Sequence, residues 1–168
     1  QSTILCDINP YMDDARIKGL SKEQREFRKA TNQGETRKYW VHLPPDYDPN
    51  HQPPYKVLVH LDGDETIKCM KLPAIMEMTP LEPTISIYVD VGNRNIEYGC
   101  GRDAELFADF LATEFMPDRR KDFPSMSSKA EDTTIAGFSM GGHAATQIGT
   151  RHPDVFGNVI GQSSSFWM

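Results

Sequence analysis

The five residues from Gly137 to Gly141 have the types and the spacing of a site for nucleophilic catalysis. They read Gly-Phe-Ser-Met-Gly, so a glycine stands two residues before and two residues after the serine. A serine on a sharp turn between a strand and a helix presents its hydroxyl above the sheet, and glycine avoids collisions at both flanking positions. The spacing predicts that Ser139 is a nucleophile on such a turn. The alternative is a glycine-rich turn in which Ser139 only caps a helix.

The segments around this motif have the character that the turn requires. Residues 133–136 are β-branched and apolar, as a buried strand would be, and residues 143–148 can form a helix. The first N–H groups of that helix would point at the place where negative charge forms during attack on a carbonyl group. The motif is therefore expected at a strand-to-helix junction.

Apolar runs alternate with helical segments along the rest of the chain. Helices are expected at about 66–78, interrupted at Pro73, and from Asp103 to Pro117. This alternation is typical of a mostly parallel sheet with helices on both faces. We predict an α/β fold, a three-layer sandwich. Its adjacent parallel strands are 56–61, 84–89, 133–137 and 158–162, with 38–43 at or near the antiparallel end.

The composition argues against several classes of function. The 168 residues carry a net charge of −6, which disfavours nucleic acid and anionic membranes as partners. No apolar run reaches the ~20 residues of a membrane span. Cys6, Cys69 and Cys100 lack metal-ligand spacing, so no metal and no other cofactor is predicted. The cysteines do not fix the compartment, and both an exported and a cytoplasmic location are compatible with the sequence.

Residues 1–36 are polar and charged and carry no evident chemistry. Ser21 begins a capping-box pattern, so a short helix to about Ala30 is expected. We interpret 1–36 as an N-terminal leader or linker and 37–168 as one α/β domain.

Segments spread over residues 37–168 together resemble the esterase branch of the α/β-hydrolases. They are Pro-Pro-Asp-Tyr at 44–47, Leu-Asp-Gly-Asp at 61–64, Arg-Asn-Ile-Glu at 94–97, Gly-Phe-Ser-Met-Gly-Gly at 137–142, Pro-Asp-Val-Phe-Gly at 153–157 and Gly-Gln-Ser-Ser-Ser-Phe-Trp at 161–167. The last two are most similar to enterochelin (ferric enterobactin) esterases. Feruloyl and acetyl-xylan esterases share much of the pattern. The resemblance implies an α/β-hydrolase fold and a serine esterase that acts on a small-molecule ester.

The resemblance also implies roles for individual residues. The serine of the motif would be the nucleophile, and the backbone N–H groups of Met140 and Asp64 would bind the oxyanion. Arg94 and Trp167 would contact the substrate, which in enterochelin esterases is a catecholate trilactone. The alternative for Arg94 is a structural salt bridge with Glu97. A serine peptidase on the same fold is a further alternative, since the turn alone does not separate ester from peptide cleavage.

The base that a serine nucleophile needs is the missing part of this pattern. In α/β-hydrolases the order along the chain is serine, then acid, then histidine. Only His143 and His152 follow Ser139, and His60 lies in a predicted strand. Structural roles are expected for all three. We therefore expect a missing C-terminal part, with the sheet truncated after a sixth strand, or a partner chain to supply the acid and the histidine. The alternative is a binding module that does not catalyse.

Overall fold

The sheet that the sequence predicts is present, with its parallel strands side by side. A computed structural model describes residues 20–21 and 37–167. Its strands are β1 (Leu20–Ser21), β2 (Tyr39–His42), β3 (Lys56–Leu61), β4 (Thr84–Val89), β5 (Thr133–Phe138) and β6 (Asn158–Gln162), in the order β1-β2-β4-β3-β5-β6. β4, β3, β5 and β6 are parallel, and β2 pairs antiparallel with β4. The predicted strand arrangement is confirmed.

Helices lie on both faces of this sheet. They are α1 (Gly63–Lys68), α2 (Leu72–Met78), α3 (Arg94–Glu97), α4 (Arg102–Phe110), α5 (Met116–Asp122) and α6 (Met140–Arg151). The step from β3 to β4 crosses the sheet in one direction, and the steps from β4 to β5 and from β5 to β6 cross it in the other. Because parallel crossovers are right-handed, α1 and α2 cover one face while α4 and α6 cover the opposite face. The predicted three-layer α/β architecture is confirmed.

The central strands are apolar almost throughout because both of their faces are covered. Ile87 and Tyr88 are neighbours in β4 and point to opposite faces, yet both are fully buried. Phe107 and Phe110 of α4 are buried as well and pack with ring centroids 6.3 Å apart. The core thus occupies both sides of the sheet and leaves the ends of the strands free for chemistry.

The helical segment after β3 differs from the prediction at its break. α1 begins already at Gly63, and the chain leaves the helical path at Lys71, whose φ is 54°. Pro73 lies in the first turn of α2 rather than at the break. A first-turn residue needs no N–H donor within its helix, so proline is tolerated there.

The prediction that Pro117 ends the following helix is wrong. α4 passes through a π-helical turn, Leu111–Phe115, directly into α5. In that turn the N–H of Met116 donates to the carbonyl of Leu111, five residues back. This wider turn changes the hydrogen-bond register just before Pro117, which then occupies the first turn of the next α-helical segment.

Ser21, which the sequence predicts as the start of a helix, is part of β1 and pairs with Val41. The predicted helix to Ala30 lies outside the described residues. Within the described part of the chain, the helices are all too short or too polar to cross a membrane.

Candidate active site

Ser139 occupies the turn between β5 and α6 in a backbone conformation that is unusual for serine. Its φ is 57° and its ψ is −118°. Positive φ in a residue other than glycine stores strain, which the surrounding structure must offset. Close packing of the flanking glycines fixes the turn, because a Cβ atom added to Gly137 would stand 2.3 Å from the backbone of Gly141. Ser139 therefore has the geometry of a nucleophile on a strand-to-helix turn.

The hydroxyl of Ser139 does not act as a helix cap. Its side chain makes no capping hydrogen bond to α6. Instead, its Oγ lies 3.1 Å from the Oγ of Ser165, which is almost fully buried. The N–H of Ser165 also donates to the Ser139 carbonyl at 3.0 Å. The loop after β6 thus packs on the turn and holds the hydroxyl. Sequence reasoning did not single out Ser165, although its segment is one that carries the family resemblance.

Asp62 forms the second loop at this edge of the sheet, between β3 and α1. It has a left-handed conformation (φ 55°, ψ 53°) and is only 6% exposed. Its N–H donates to the hydroxyl of Tyr98 at 3.0 Å. A Cβ atom added to Gly141 would stand 2.6 Å from Asp62 Oδ2. This loop and the serine turn are therefore in contact, as one site requires.

Two helices begin at this meeting point. α1 begins immediately after Asp62, and α6 begins immediately after the serine. The first N–H groups of a helix have no acceptor within it, so those of Asp64 and Met140 are free of intrahelical bonds. The side chain of Asp64 forms an exposed ion pair with Lys68, at 2.9 Å, so only the backbone N–H of this residue is considered as a donor. The arrangement can bring two sets of backbone donors toward one oxygen atom.

Arg94 pairs with Asp62, not with Glu97 as the alternative reading of the sequence had it. Its Nε and Nη2 donate to the two carboxylate oxygens of Asp62 at 2.9 and 3.0 Å. Hydrogen bonds to this carboxylate raise the pKa of Arg94. Nη2 also approaches the carbonyl of Phe138 at 3.5 Å. Glu97 is buried and bonded elsewhere, to Arg37.

Two further titratable groups lie near this edge. Burial raises the pKa of Tyr98 well above its ordinary value, so its hydroxyl stays protonated. Burial also raises the pKa of Asp90, which follows β4. Trp167 is mostly exposed, with 79% of its surface accessible. Among the described residues, no group of three His, Cys, Asp or Glu side chains is suited to hold a metal ion.

The five histidines of the chain are all described, and their rings contact groups other than Ser139. Burial lowers the pKa of His60, whose Nδ1 lies 2.7 Å from the Leu61 carbonyl. His143 is 9% exposed, with its Nε2 at 2.6 Å from Nε2 of Gln147. The other three also have identified partners: His42 with Glu77, His51 with Tyr55, and His152 with Asp109. His143 does bond Ser139 through its backbone, its N–H donating to the Ser139 carbonyl at 3.1 Å, but within the described chain no histidine ring makes a hydrogen bond to the Ser139 hydroxyl.

A strand-to-helix serine turn at the carboxyl edge of a mostly parallel sheet defines the α/β-hydrolase class. Residues 30–168 match the family described as "Putative esterase", and the chain belongs to this family.

Its relatives include enterobactin esterases. It is 30% identical over 139 residues to the iron(III) enterobactin esterase of Escherichia coli O6:H1, a match that covers 79% of this chain and 33% of that protein. The crystal structure of ferric enterobactin esterase from Salmonella typhimurium gives a TM-score of 0.69 at 27% identity, covering 85% of this chain and 36% of that one. A ferulic acid esterase gives 0.69 at 24% identity, covering 87% and 60%, and shows the fold alone. The chain spans about a third of the length of these enterobactin esterases.

Proposed function

We propose that this chain carries the nucleophile and the oxyanion donors of a serine hydrolase that cleaves carboxylic esters. The observation that carries the proposal is the strained Ser139 turn in contact with the Asp62 loop, each opening a helix at the same edge of the sheet. Family membership supports the same conclusion, because the relatives are esterases. Acyl transfer requires a hydroxyl and backbone donors in one small region, and the contact between the two loops supports that arrangement here.

The proposed reaction proceeds through an acyl-enzyme. Ser139 Oγ attacks the ester carbonyl and loses its proton to a base, and the carbonyl oxygen becomes an oxyanion. The N–H groups of Met140 and Asp64 donate to that oxyanion. The tetrahedral intermediate then expels the alcohol, which takes up the proton, and water hydrolyses the acyl-serine by the reverse sequence. The backbone donors are fixed before the reaction begins, so they need no reorganisation as charge develops.

We propose that the base and its carboxylate come from outside these 168 residues, from another part of the protein or from a partner chain. The side-chain contacts of the five histidines support this proposal, because each ring contacts a residue other than Ser139. The hydroxyl of Ser165, 3.1 Å from Ser139 Oγ, would hold the nucleophile until the base is in place.

For the substrate we propose a catecholate siderophore ester of the enterobactin type, since the relatives at 27–30% identity are enterobactin esterases. Trp167 offers a large exposed ring beside the loop that packs on Ser139, suited to stacking on a flat aromatic acyl group. About a third of Arg94 is exposed, which leaves room for an anionic or catecholate oxygen to approach its guanidinium. A feruloyl or acetyl ester of a carbohydrate is the alternative substrate within the same chemistry.

The second candidate function is a non-catalytic binding module that keeps the pocket without the triad. One observation favours it, namely that the described part of the chain gives the Ser139 hydroxyl a serine partner and no histidine ring.

A fluorophosphonate probe separates the two functions. The probe reacts with serines that a working base and oxyanion site activate, so the proposed esterase is labelled at Ser139 in the protein as its gene encodes it. Ser139→Ala abolishes that label, and Ser163→Ala serves as a serine control. Hydrolysis rates on enterobactin, methyl ferulate, an acetylated sugar and a matched amide then identify the substrate class. Absence of labelling in the folded protein would establish the binding module instead.

A further inference from the structure

The ion pair between Asp62 and Arg94 lies between the two loops of the proposed site. Arg94 holds both carboxylate oxygens of Asp62, at 2.9 and 3.0 Å. Its Nη2 also reaches the carbonyl of Phe138, the residue before the nucleophile. Asp62 in turn precedes Gly63 and Asp64, whose N–H groups open α1. The Asp62–Arg94 pair thus contacts both the loop that carries the second proposed oxyanion donor and the turn that carries the proposed nucleophile.

The conformation of Asp62 depends on this pair. Asp62 has positive φ and is 6% exposed, so its backbone is strained and its charge is largely removed from water. A buried carboxylate is strongly destabilising without a partner, and a bidentate arginine is the strongest partner that a side chain can offer. The Tyr98 hydroxyl adds a third constraint by accepting the N–H of Asp62. Together these bonds fix the direction in which α1 presents its first N–H groups.

The charge of Asp62 would harm catalysis if it were left alone. Its Oδ2 lies against Gly141, in the first turn of the helix that follows the nucleophile. A bare carboxylate there would repel the oxyanion that forms on the substrate, and this repulsion is strong in a site from which water is excluded. Arg94 cancels that charge while keeping the carboxylate as a rigid contact.

We infer that Asp62 and Arg94 are positioning residues that form a charge-neutral clamp, which holds the α1 donors beside Ser139 and shields the oxyanion from the Asp62 carboxylate. This inference rests on the proposed function. It gives Arg94 a role in the rate of the chemical step, whereas a direct contact between Arg94 and the substrate would affect binding.

The test measures kcat, KM and the affinity for phenylboronic acid, whose serine adduct imitates the tetrahedral intermediate, in the protein as its gene encodes it. Because loss of one oxyanion donor costs about 10²–10³ in rate, we expect Arg94→Gln to lower kcat about 100-fold, and any rise in KM reports the separate contact of Arg94 with the substrate. Boronate affinity falls by a similar factor. Asp62→Asn leaves the partly exposed Arg94 cation unpaired but no bare negative charge beside the oxyanion, so we expect it to lower kcat less than Arg94→Gln does.

The double variant gives the sharpest outcome. Asp62→Asn/Arg94→Gln removes the charge that the single Arg94 variant leaves unbalanced, so its kcat recovers to the level of Asp62→Asn. Arg151→Gln is the matched control, because Arg151 holds Asp109 with the same two-pronged geometry, at 2.7 and 3.1 Å, near the far end of α6. Its kinetics stay at the wild-type values.

Three results would overturn the clamp. They are a double variant whose losses multiply, an Arg94→Gln variant that raises KM with kcat unchanged, and variants that match the wild-type rates. If Arg94→Gln does not fold, Asp62→Asn carries the test, and an unchanged kcat and boronate affinity in that variant would overturn the clamp. Failure of the proposed function has a different signature, since the wild-type protein itself would then show no fluorophosphonate label at Ser139.

Discussion

The carboxylate of Asp62 lies against the α-carbon of Gly141, although the two residues are 79 positions apart in the chain. A Cβ atom on Gly141 would stand 2.6 Å from Asp62 Oδ2, closer than real side chains approach. The contact joins the ends of β3 and β5, which are neighbouring parallel strands. The carboxyl ends of such strands meet at one edge, where α/β folds bind their ligands. The loop after β3 and the turn after β5 therefore form one region, in which the close contact requires glycine at position 141.

The steric requirement is most severe at Gly137. Its added Cβ would stand 2.3 Å from the backbone carbonyl of Gly141, which cannot move without displacing α6. We expect Gly137→Ala to lower the free energy of unfolding by about 3 kcal/mol, the upper end of overpacking costs, as measured by urea denaturation. Gly101→Ala is the control, since Gly101 has φ 108° and ψ −168° but open space around it, and its cost of about 1–3 kcal/mol is purely conformational. Equal losses in the two variants would contradict the packing argument.

The sheet could be predicted from the sequence because the composition of each strand indicates how many of its faces are buried. Nearly continuous apolar runs such as 56–61 and 84–89 fit only strands covered on both faces, and the structure places them side by side. The serine turn was equally predictable, because a glycine two residues to either side of a serine is rare without a steric reason. Both signals depend on residues that are close together in the chain, so a single sequence is enough to detect them.

What the sequence could not supply depends on contacts between distant segments. Ser165 contacts Ser139 only because β6 lies beside β5, and no spacing of residues in the sequence predicts that contact. Arg94 could not be assigned to Asp62 without knowing that Asp62 adopts a left-handed conformation. The helix continues past Pro117 because a π-turn changes its register, which helix propensity does not anticipate. In each case a tertiary or irregular backbone feature overrides the local rule.

The hydroxyl of Tyr98 is predicted to stabilise the loop after β3, which carries the proposed oxyanion donor. Tyr98→Phe would leave the buried N–H of Asp62 without its acceptor, and an unsatisfied buried donor costs about 1–3 kcal/mol. Tyr88→Phe is the matched control, because Tyr88 is also fully buried but its hydroxyl bonds side-chain groups, Ser86 and Met76 Sδ at 3.9 Å, and satisfies no backbone N–H. We expect that variant to lose less than about 1 kcal/mol, since the contact with sulfur is weak and no backbone N–H is left unsatisfied. Urea denaturation of both proteins measures the difference, and equal losses would remove the role given to Tyr98.

The stability of the fold should fall as the pH drops below about 6.5, and His60 should contribute to that fall. Burial lowers the pKa of His60 below its ordinary value of 6.5. Just below pH 6.5 the unfolded chain binds a proton that the folded protein does not, so protonation favours unfolding down to the lowered folded pKa. Above pH 6.5 both states are neutral and the contribution is fully retained.

The slope of the unfolding free energy between pH 7 and pH 5 measures this contribution. We expect His60→Gln to flatten the slope, whatever its effect on stability at pH 7. His51→Gln serves as the control, because His51 is only partly buried and stacks on Tyr55 with ring centroids 4.1 Å apart. An unchanged slope in His60→Gln would show that other groups cause the pH dependence.

The last prediction concerns the base that Ser139 needs. The histidines of these 168 residues contact Glu77, Tyr55, Leu61, Gln147 and Asp109, so we expect none of them to take the Ser139 proton. The 168-residue chain expressed alone, in whatever fraction is soluble, should hydrolyse p-nitrophenyl acetate no faster than its own Ser139→Ala variant. General-base catalysis requires hydrogen-bond reach to the nucleophile, and without it the strained turn and the oxyanion donors act on an unactivated hydroxyl. Circular dichroism of both proteins controls for folding.

Rapid hydrolysis that disappears in Ser139→Ala would mean that a histidine of this chain moves to the nucleophile. His143→Gln and His152→Gln would then identify which one, since His143 lies in the first turn of α6 and His152 follows its last residue.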